Sequence, residues 1–187
     1  MTTTAIRNGI NVEQLLQTID AVKDDEAVGT FTFRASSNWK EGTYNQGEIG
    51  DFTHAGQEDT SRGAPFRTHG DEPPVLLGSN RGPNAVELVL QALGFCYAVG
   101  YVANAAARGI DIEQMEYEVE GDLDVHRFLG LDGERAGFTE IRVKGTVKSP
   151  NATREQLTEL CRYVQDTSPV RDIIANPVPV KTSLQVI

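Results

Sequence analysis

This sequence contains few of the side chains that bind transition metals, with two cysteines and three histidines among its 187 residues. Cys96 and Cys161 are far apart in the chain, and no Cys-x-x-Cys pair occurs. His54, His69 and His126 also lack the short spacing of known zinc ligands. We therefore expect no metal site and no bound cofactor.

Positive charge is also scarce. The chain has 17 lysines and arginines against 27 aspartates and glutamates, which gives a formal net charge of −10. Nucleic acids and anionic membrane surfaces repel such a protein. We expect neither of them as a partner.

The first residues, Met1 to Arg7, contain no apolar run of the kind that forms a secretory signal. We therefore expect a cytoplasmic protein in reducing surroundings. There, Cys96 and Cys161 are predicted to be free thiols at rest.

One stretch stands out, because residues 88–107 contain no charged side chain. A helix of this length reaches about 30 Å, enough to cross a domain or a membrane. Gln91, Asn104, two glycines and two tyrosines weaken it as a membrane span, and no second apolar segment exists. We predict a helix buried on all sides, against its symmetry mate. The turn at residues 78–84 leads into the helix start, where free N–H groups favour an anion.

The chain before this stretch divides into an arm and the start of a domain. Residues 1–26 are predicted to be a helical arm capped by Asn11, and its apolar stripe can dock either on the main body or on a second subunit. Residues 27–187 form the main domain. In it, residues 28–35 are predicted to be a strand, residues 39–49 a weaker strand pair, and residues 51–74 a long connection.

The chain after this stretch has the clearest alternation. Apolar positions alternate with acidic ones from Met115 to Val125, and with mostly basic ones from Ile141 to Lys148, so an antiparallel hairpin would set acid mostly opposite base. We interpret the acidic positions as a solvated sheet face; a cation-binding role is the alternative. The apolar connection at residues 126–133 is either a packed lid or subunit contact, or an ordinary buried loop. A helix from Ala152 or Thr153 and a last strand through residues 178–186 complete an α+β fold.

The residues alone leave the role of Cys96 open. The helix dipole acts mainly on the first turn of the helix, and Cys96 lies beyond that turn. A reactive thiolate at Cys96 therefore requires a neighbouring cation. Arg67, Arg81 and Lys40 are the candidates. Cys161 is on the apolar stripe of its helix, which favours a structural role.

Five segments together resemble the OsmC/Ohr family of thiol-dependent peroxidases, and the likeness runs from about Ala27 to the C-terminus. Their order and spacing carry the resemblance more than any single motif does. The segments are Asp71-Glu72-Pro73, Gly82-Pro83-Asn84-Ala85-Val86-Glu87-Leu88, Ala92-Leu93-Gly94-Phe95-Cys96, Ala106-Ala107-Arg108-Gly109-Ile110, and Ser168-Pro169-Val170 before Pro-Val-Pro-Val.

The resemblance implies an intertwined homodimer, with antiparallel sheets wrapped around paired central helices and sites at the subunit interface. It also implies that a cysteine at the position of Cys96 attacks organic hydroperoxides. An arginine, for which Arg67 is the best match, stabilises the thiolate, and Glu87 orients that arginine.

The sequence departs from the family pattern at the second cysteine, because Ser168 occupies its position. We therefore predict a one-cysteine peroxidase in which an external thiol resolves the oxidised Cys96. The alternative is a non-enzymatic binding or stress-sensing module that holds an apolar ligand. A serine hydrolase is disfavoured, because Ser168 and Ser79 lack a nucleophile-elbow motif.

Overall fold

The computed structural model describes residues 6–187 and has a mixed α+β fold with antiparallel sheets, which confirms the α+β class and the antiparallel sheets of the prediction. Two compact units are present: residues 6 and 11–89 form the first, and residues 7–10 and 90–187 form the second. The strands are β1 (Ile6–Arg7), β2 (Ile10–Asn11), β3 (Phe31–Thr32), β4 (Ser36–Glu41), β5 (Tyr44–Ile49), β6 (Phe52–His54), β7 (Gln57–Asp59), β8 (Phe66–Gly70), β9 (Gln114–Asp122) and β10 (Glu140–Lys148). The helices are α1 (Val12–Asp24), α2 (Ala85–Ala107), α3 (Arg154–Thr167) and α4 (Pro169–Ala175).

In the first unit, α1 begins where its capping residue predicts. The Asn11 side chain accepts a hydrogen bond from the backbone N–H of Gln14 at 3.0 Å, which satisfies one of the free donors of the helix start. No residue of α1 is buried, although Leu16, Ile19 and Val22 form an apolar stripe. Where this stripe docks therefore stays a prediction.

The strands of the first unit differ from two expectations. The region 51–74 was predicted to be a connection but contains β6, β7 and β8. These strands are short and mostly polar, so they lack the alternation that reveals a strand in sequence. Of the strand predicted at residues 28–35, only β3 forms, because Glu26–Gly29 is a 3-10 turn. The weaker pair at residues 39–49 is confirmed as β4 and β5.

A buried carboxylate, Asp71, organises the turn that precedes α2. Asp71 is 3% exposed, and its two oxygens accept hydrogen bonds from the Thr43 hydroxyl at 2.6 Å and from the backbone N–H groups of Glu72, Ser79 and Arg81 at 2.9, 3.1 and 3.1 Å. These bonds, led by that from Thr43, lower the pKa of Asp71 to about 2. Gly78 is required here, because a Cβ would lie 1.7 Å from the Glu72 carbonyl oxygen.

In the second unit, α2 and α3 pack together on the apolar face of the β9–β10 hairpin. Their buried contacts include Leu93, Tyr97 and Tyr101 from α2 and Leu160 and Val164 from α3. The two helices approach closely at Gly100, where a Cβ would lie 3.2 Å from Val164. The Tyr101 hydroxyl also donates to the Leu157 carbonyl at 3.0 Å, so α2 and α3 are joined by both packing and a hydrogen bond.

The prediction that α2 is buried on all sides does not hold within one chain. Phe95 and Val99 are 64% and 70% exposed, because α3 and the hairpin cover only the opposite face. By length and composition alone α2 could cross a membrane, but Leu93, Tyr97 and Tyr101 pack in a protein core. The face of α2 that carries Phe95 and Val99 is therefore apolar and open to solvent within one chain.

The hairpin confirms the predicted arrangement of charges. Glu118 lies opposite Lys144 and Glu120 lies opposite Arg142 in the register of β9 and β10. The Arg142 guanidinium also pairs with Asp122 at 2.6 Å, so these acids are neutralised by the neighbouring strand.

Two apolar segments of the second unit remain uncovered. In the connection at residues 126–133, Phe128, Leu129 and Leu131 are each more than half exposed, so it is not an ordinary buried loop. The predicted last strand does not form, because residues 177–187 pair with no strand in the described part of the chain. Pro177 and Pro179 also remove two backbone donors from this segment.

We predict that Asp71→Asn destabilises the protein in a pH-dependent way. Because folding lowers the Asp71 pKa, its stabilisation is complete above about pH 4 and is lost as the pH falls towards about 2. Urea unfolding should therefore show a stability difference between wild type and variant at neutral pH that shrinks below about pH 4. Asp51→Asn, at an exposed aspartate, is the matched control and should show little difference. A difference for Asp71→Asn that is independent of pH would contradict the prediction.

Candidate active site

Cys96 lies at the edge of the buried face of α2 and opens onto a groove. It directly precedes the buried Tyr97 and is itself half-buried. The groove has a volume of about 410 Å³ and is largely apolar. It is lined by Phe95, Cys96, Val99, Gly100, Val164, Thr167, Ser168 and Pro169.

Ser168 reaches this groove because the chain leaves the helical conformation there. Pro169 disfavours the helical conformation for the residue before it, so α3 ends at Thr167 and Ser168 is extended. Ser168 then caps α4, with Pro169 at the first helical position. Its side chain is turned towards α2, where its hydroxyl oxygen lies 3.2 Å from the Cys96 sulfur.

The Ser168 hydroxyl has a second partner besides Cys96. Its oxygen accepts from the Arg171 backbone N–H at 3.2 Å; in the contact with sulfur either group can donate while Cys96 is a thiol, and only the hydroxyl can donate once Cys96 is a thiolate. Ser168 is 5% exposed, and the Cys96 sulfur is the partner within reach. A hydroxyl that donates to sulfur stabilises the negatively charged thiolate over the neutral thiol.

Cys161 belongs to a different part of the second unit. Its sulfur accepts a hydrogen bond from the Gln165 side chain at 3.2 Å, and it lines a small cavity with Tyr97 and Arg171. Cys161 precedes Ser168 by seven residues, and it lies about 9 Å along α3 before the end of the helix at Thr167. Cys161 therefore does not occupy the position of Ser168 beside Cys96.

The other predicted site residues belong to the first unit. Arg67, on β8, has a side chain that is 81% exposed and lies 3.7 Å from the Glu48 carboxylate. Of the other candidate cations, Arg81 pairs with Glu41 at 2.6 Å, and Lys40 is exposed on β4. Each of these contacts lies within the first unit.

Glu87 has a clear local role at the start of α2. Its carboxylate accepts from the Asn84 backbone N–H at 2.8 Å, and the Asn84 side chain accepts from the Glu87 backbone N–H at 2.9 Å. This reciprocal pair is a capping box. The anion expected in the preceding turn is the carboxylate of Asp71 itself.

Within residues 6–187, no three histidine, cysteine, aspartate or glutamate side chains cluster closely enough to hold a metal ion. Burial raises the pKa of Tyr97, which follows Cys96 in the chain, and raises that of Tyr101 to about 12, so both remain protonated at neutral pH. Among the residues that line the groove, Cys96 carries the strongest nucleophile.

Solved structures share this α+β fold. An OsmC-like protein from Mycoplasma pneumoniae is 16% identical with a TM-score of 0.58, and the match covers 78% of this chain and 89% of that one. An OsmC-like protein from Vibrio cholerae is 11% identical with a TM-score of 0.56, covering 75% and 91%. The organic hydroperoxide resistance protein OsmC from Legionella pneumophila is 15% identical with a TM-score of 0.53, covering 76% and 88%.

The family assignment does not rest on these low sequence identities. The model of the OsmC-like protein family matches residues 78–183, which include α2, the hairpin, α3 and α4. The chain therefore belongs to the OsmC-like family, and the family resemblance seen in the sequence is confirmed. No curated protein matches the sequence.

Sequence reasoning missed the helix break that places Ser168 against Cys96. The signal for it was present, because a serine followed by proline is a typical helix start. It also missed α4, whose seven residues are too few to display a helical period.

We predict that Ser168→Ala slows alkylation of Cys96 by iodoacetamide roughly tenfold at neutral pH, since the thiolate loses one hydrogen bond. Ser168→Thr, which keeps the hydroxyl, should restore the rate. Mass spectrometry of the Cys96 peptide measures the rate.

Thr153→Ala is the control for this experiment, because Thr153 caps α3 as Ser168 caps α4 but does not contact Cys96. An equal loss of Cys96 reactivity in this variant would mean that capping, not the Ser168 hydroxyl, controls the thiol.

Proposed function

We propose that this protein is a one-cysteine thiol peroxidase that reduces organic hydroperoxides through Cys96. The observation that supports this most is the 3.2 Å contact between the Cys96 sulfur and the Ser168 hydroxyl inside an apolar groove. Membership of the OsmC-like family agrees with it. So does the fold shared with a hydroperoxide resistance protein from Legionella pneumophila.

The groove favours an organic peroxide over hydrogen peroxide. Phe95, Val99 and Val164 provide apolar surface beside the sulfur, and burying such surface stabilises a bound hydrocarbon by roughly 25 cal/mol per Å². Hydrogen peroxide has no apolar part to bury. An alkyl hydroperoxide can place its chain along the groove and its O–O bond at the sulfur.

The proposed reaction begins with the Cys96 thiolate. Its sulfur attacks the terminal oxygen of the hydroperoxide, an S–O bond forms, and the O–O bond breaks. The sulfur is oxidised by two electrons to sulfenic acid, and the peroxide is reduced to an alcohol after taking up one proton. Ser168 donates to the sulfur before the attack and so acts as a positioning residue.

The second half of the cycle requires a thiol from outside this chain. Ser168 presents an oxygen, which cannot form a disulfide with the sulfenic acid. Cys161 lies about 9 Å along α3 before the end of that helix at Thr167, whereas the two Cα atoms of a disulfide are about 4.4 to 6.8 Å apart, so Cys161 cannot take the place of Ser168 beside Cys96 without a shift of the backbone. An external thiol therefore attacks the sulfenic sulfur and releases water, and a second thiol reduces the resulting mixed disulfide.

Arg67 and Glu87 complete the proposal. By analogy with the family, Arg67 stabilises the thiolate and Glu87 orients Arg67, in addition to capping α2.

We also infer a homodimer, because Phe95, Val99 and the C-terminal apolar residues are exposed in one chain. The cytoplasmic location and the division into an arm of residues 1–26 and a domain of residues 27–187 stay predictions.

A non-enzymatic binding or stress-sensing module is the second candidate, and Ser168 is the observation that favours it. Without an internal thiol, oxidised Cys96 would persist until an outside reductant arrives. A sensor benefits from such a long-lived state.

The enzyme hypothesis predicts that Cys96→Ser abolishes consumption of cumene hydroperoxide in the presence of a dithiol, while Cys161→Ser retains most of it. A sulfenic-acid trap should label Cys96 in the wild type after one equivalent of peroxide. Unchanged peroxide consumption in Cys96→Ser, or label only on Cys161, would refute the proposed chemistry. A sensor would show the label but no multiple turnovers with any thiol.

We further predict that Ser168→Cys creates an internal resolving thiol. The 3.2 Å separation of the present oxygen and sulfur needs to shorten by only about 1 Å to reach a disulfide bond length. Peroxide should then yield an intramolecular disulfide with Cys96, detected by intact mass. Thr153→Cys, at the cap of α3, is the control and should give none. A persistent sulfenic acid in Ser168→Cys would contradict the prediction.

A further inference from the structure

A second groove lies between α3 and the apolar face of β9 and β10. Its volume is about 850 Å³, within the range of about 300 to 1,000 Å³ that small-molecule sites occupy. Cys96 and Ser168 do not line it. It is therefore a separate feature of the second unit.

The floor of this second groove is apolar and aromatic. Met115, Tyr117 and Leu157 contribute to it, together with Tyr101 and Cys161. Burial raises the pKa of both tyrosine hydroxyls, so these groups are neutral at physiological pH. A floor of this kind favours the hydrocarbon part of a ligand.

The rim of the second groove is cationic. Arg154 and Arg162 line it from α3, and Lys148 lines it from the end of β10. Lys148 is paired with Glu113 at 2.6 Å, whereas neither arginine has a carboxylate within salt-bridge distance among residues 6–187. Both guanidinium groups are therefore available to an anionic ligand.

The two arginines are eight residues apart on α3, or about 12 Å along its axis. A ligand that lies along the helix can therefore pair its charged end with either arginine and extend over the apolar floor. A guanidinium group matches the geometry of a carboxylate, with two parallel hydrogen bonds.

We propose that the second groove binds a medium-chain aliphatic carboxylate, with its head at Arg154 or Arg162 and its chain on Tyr117 and Leu157. The charge of the rim complements the head, and the floor complements the chain. This proposal does not depend on the chemistry of Cys96, because the two grooves share neither cysteine.

Cys161 provides a direct reporter, since it lines the second groove and is half-buried. In a Cys96→Ser background, decanoate should slow alkylation of Cys161 in a saturable way, whereas decanol, which has the same chain without the charge, should protect at least about tenfold less well. Isothermal titration calorimetry gives the affinity independently of the thiol.

The double variant Arg154→Gln/Arg162→Gln should weaken decanoate binding roughly tenfold or more, because charge-assisted hydrogen bonds are lost. Arg108→Gln is the matched control. It removes one positive charge near α3, where Arg108 stacks on Tyr163 at 4.7 Å, but Arg108 does not line the groove. Its affinity for decanoate should be unchanged.

Three results would overturn the proposal. Equal protection by decanol would mean that charge is not recognised, and an equal loss in Arg108→Gln would indicate a general electrostatic effect. Protection of Cys161 that rises with protein concentration and needs no ligand would assign the groove to a second copy of the chain.

Discussion

The antiparallel contact between α2 and α3 determines where the reactive side chains lie. Gly100 faces Val164, and one turn earlier on α2 Cys96 faces Ser168, which directly follows the end of α3. Because residues four apart share a helix face, the contact at Gly100 positions Cys96 beside the end of α3. A Cβ at Gly100 would lie 3.2 Å from the Val164 side chain, so even alanine at this position requires a small shift of α3 relative to α2.

The elements that could be predicted from sequence are those with their own local signals. The hairpin has a strict period of two with opposed charges, and α3 has a complete capping box at Thr153 and Gln156. In contrast, β6 and β7 are three-residue polar strands, which depend on pairing rather than on pattern. The C-terminal segment shows the reverse error. Its alternation predicts a strand, but residues 177–187 pair with no strand among residues 6–187.

The same distinction applies to the site. Cys96 could be singled out from its place in a charge-free helix and from the family resemblance, and the Asn-x-x-Glu spacing around Glu87 reveals a cap. The contact between Ser168 and Cys96 could not be predicted, because it depends on how α3 packs against α2 and on the break in the helix before Pro169. Whether Arg67 reaches Cys96 is a tertiary question that no local pattern addresses.

The carboxylate of Asp71 has a consequence for what the start of α2 can bind. Glycine-rich turns that lead into a helix often cradle a phosphate with their backbone amides. Here the amides of Ser79 and Arg81 already hold an aspartate, and the nearby Asn84 amide holds Glu87. The chain's own carboxylates thus occupy, at Ser79, Arg81 and Asn84, backbone amides that could otherwise contact a phosphate.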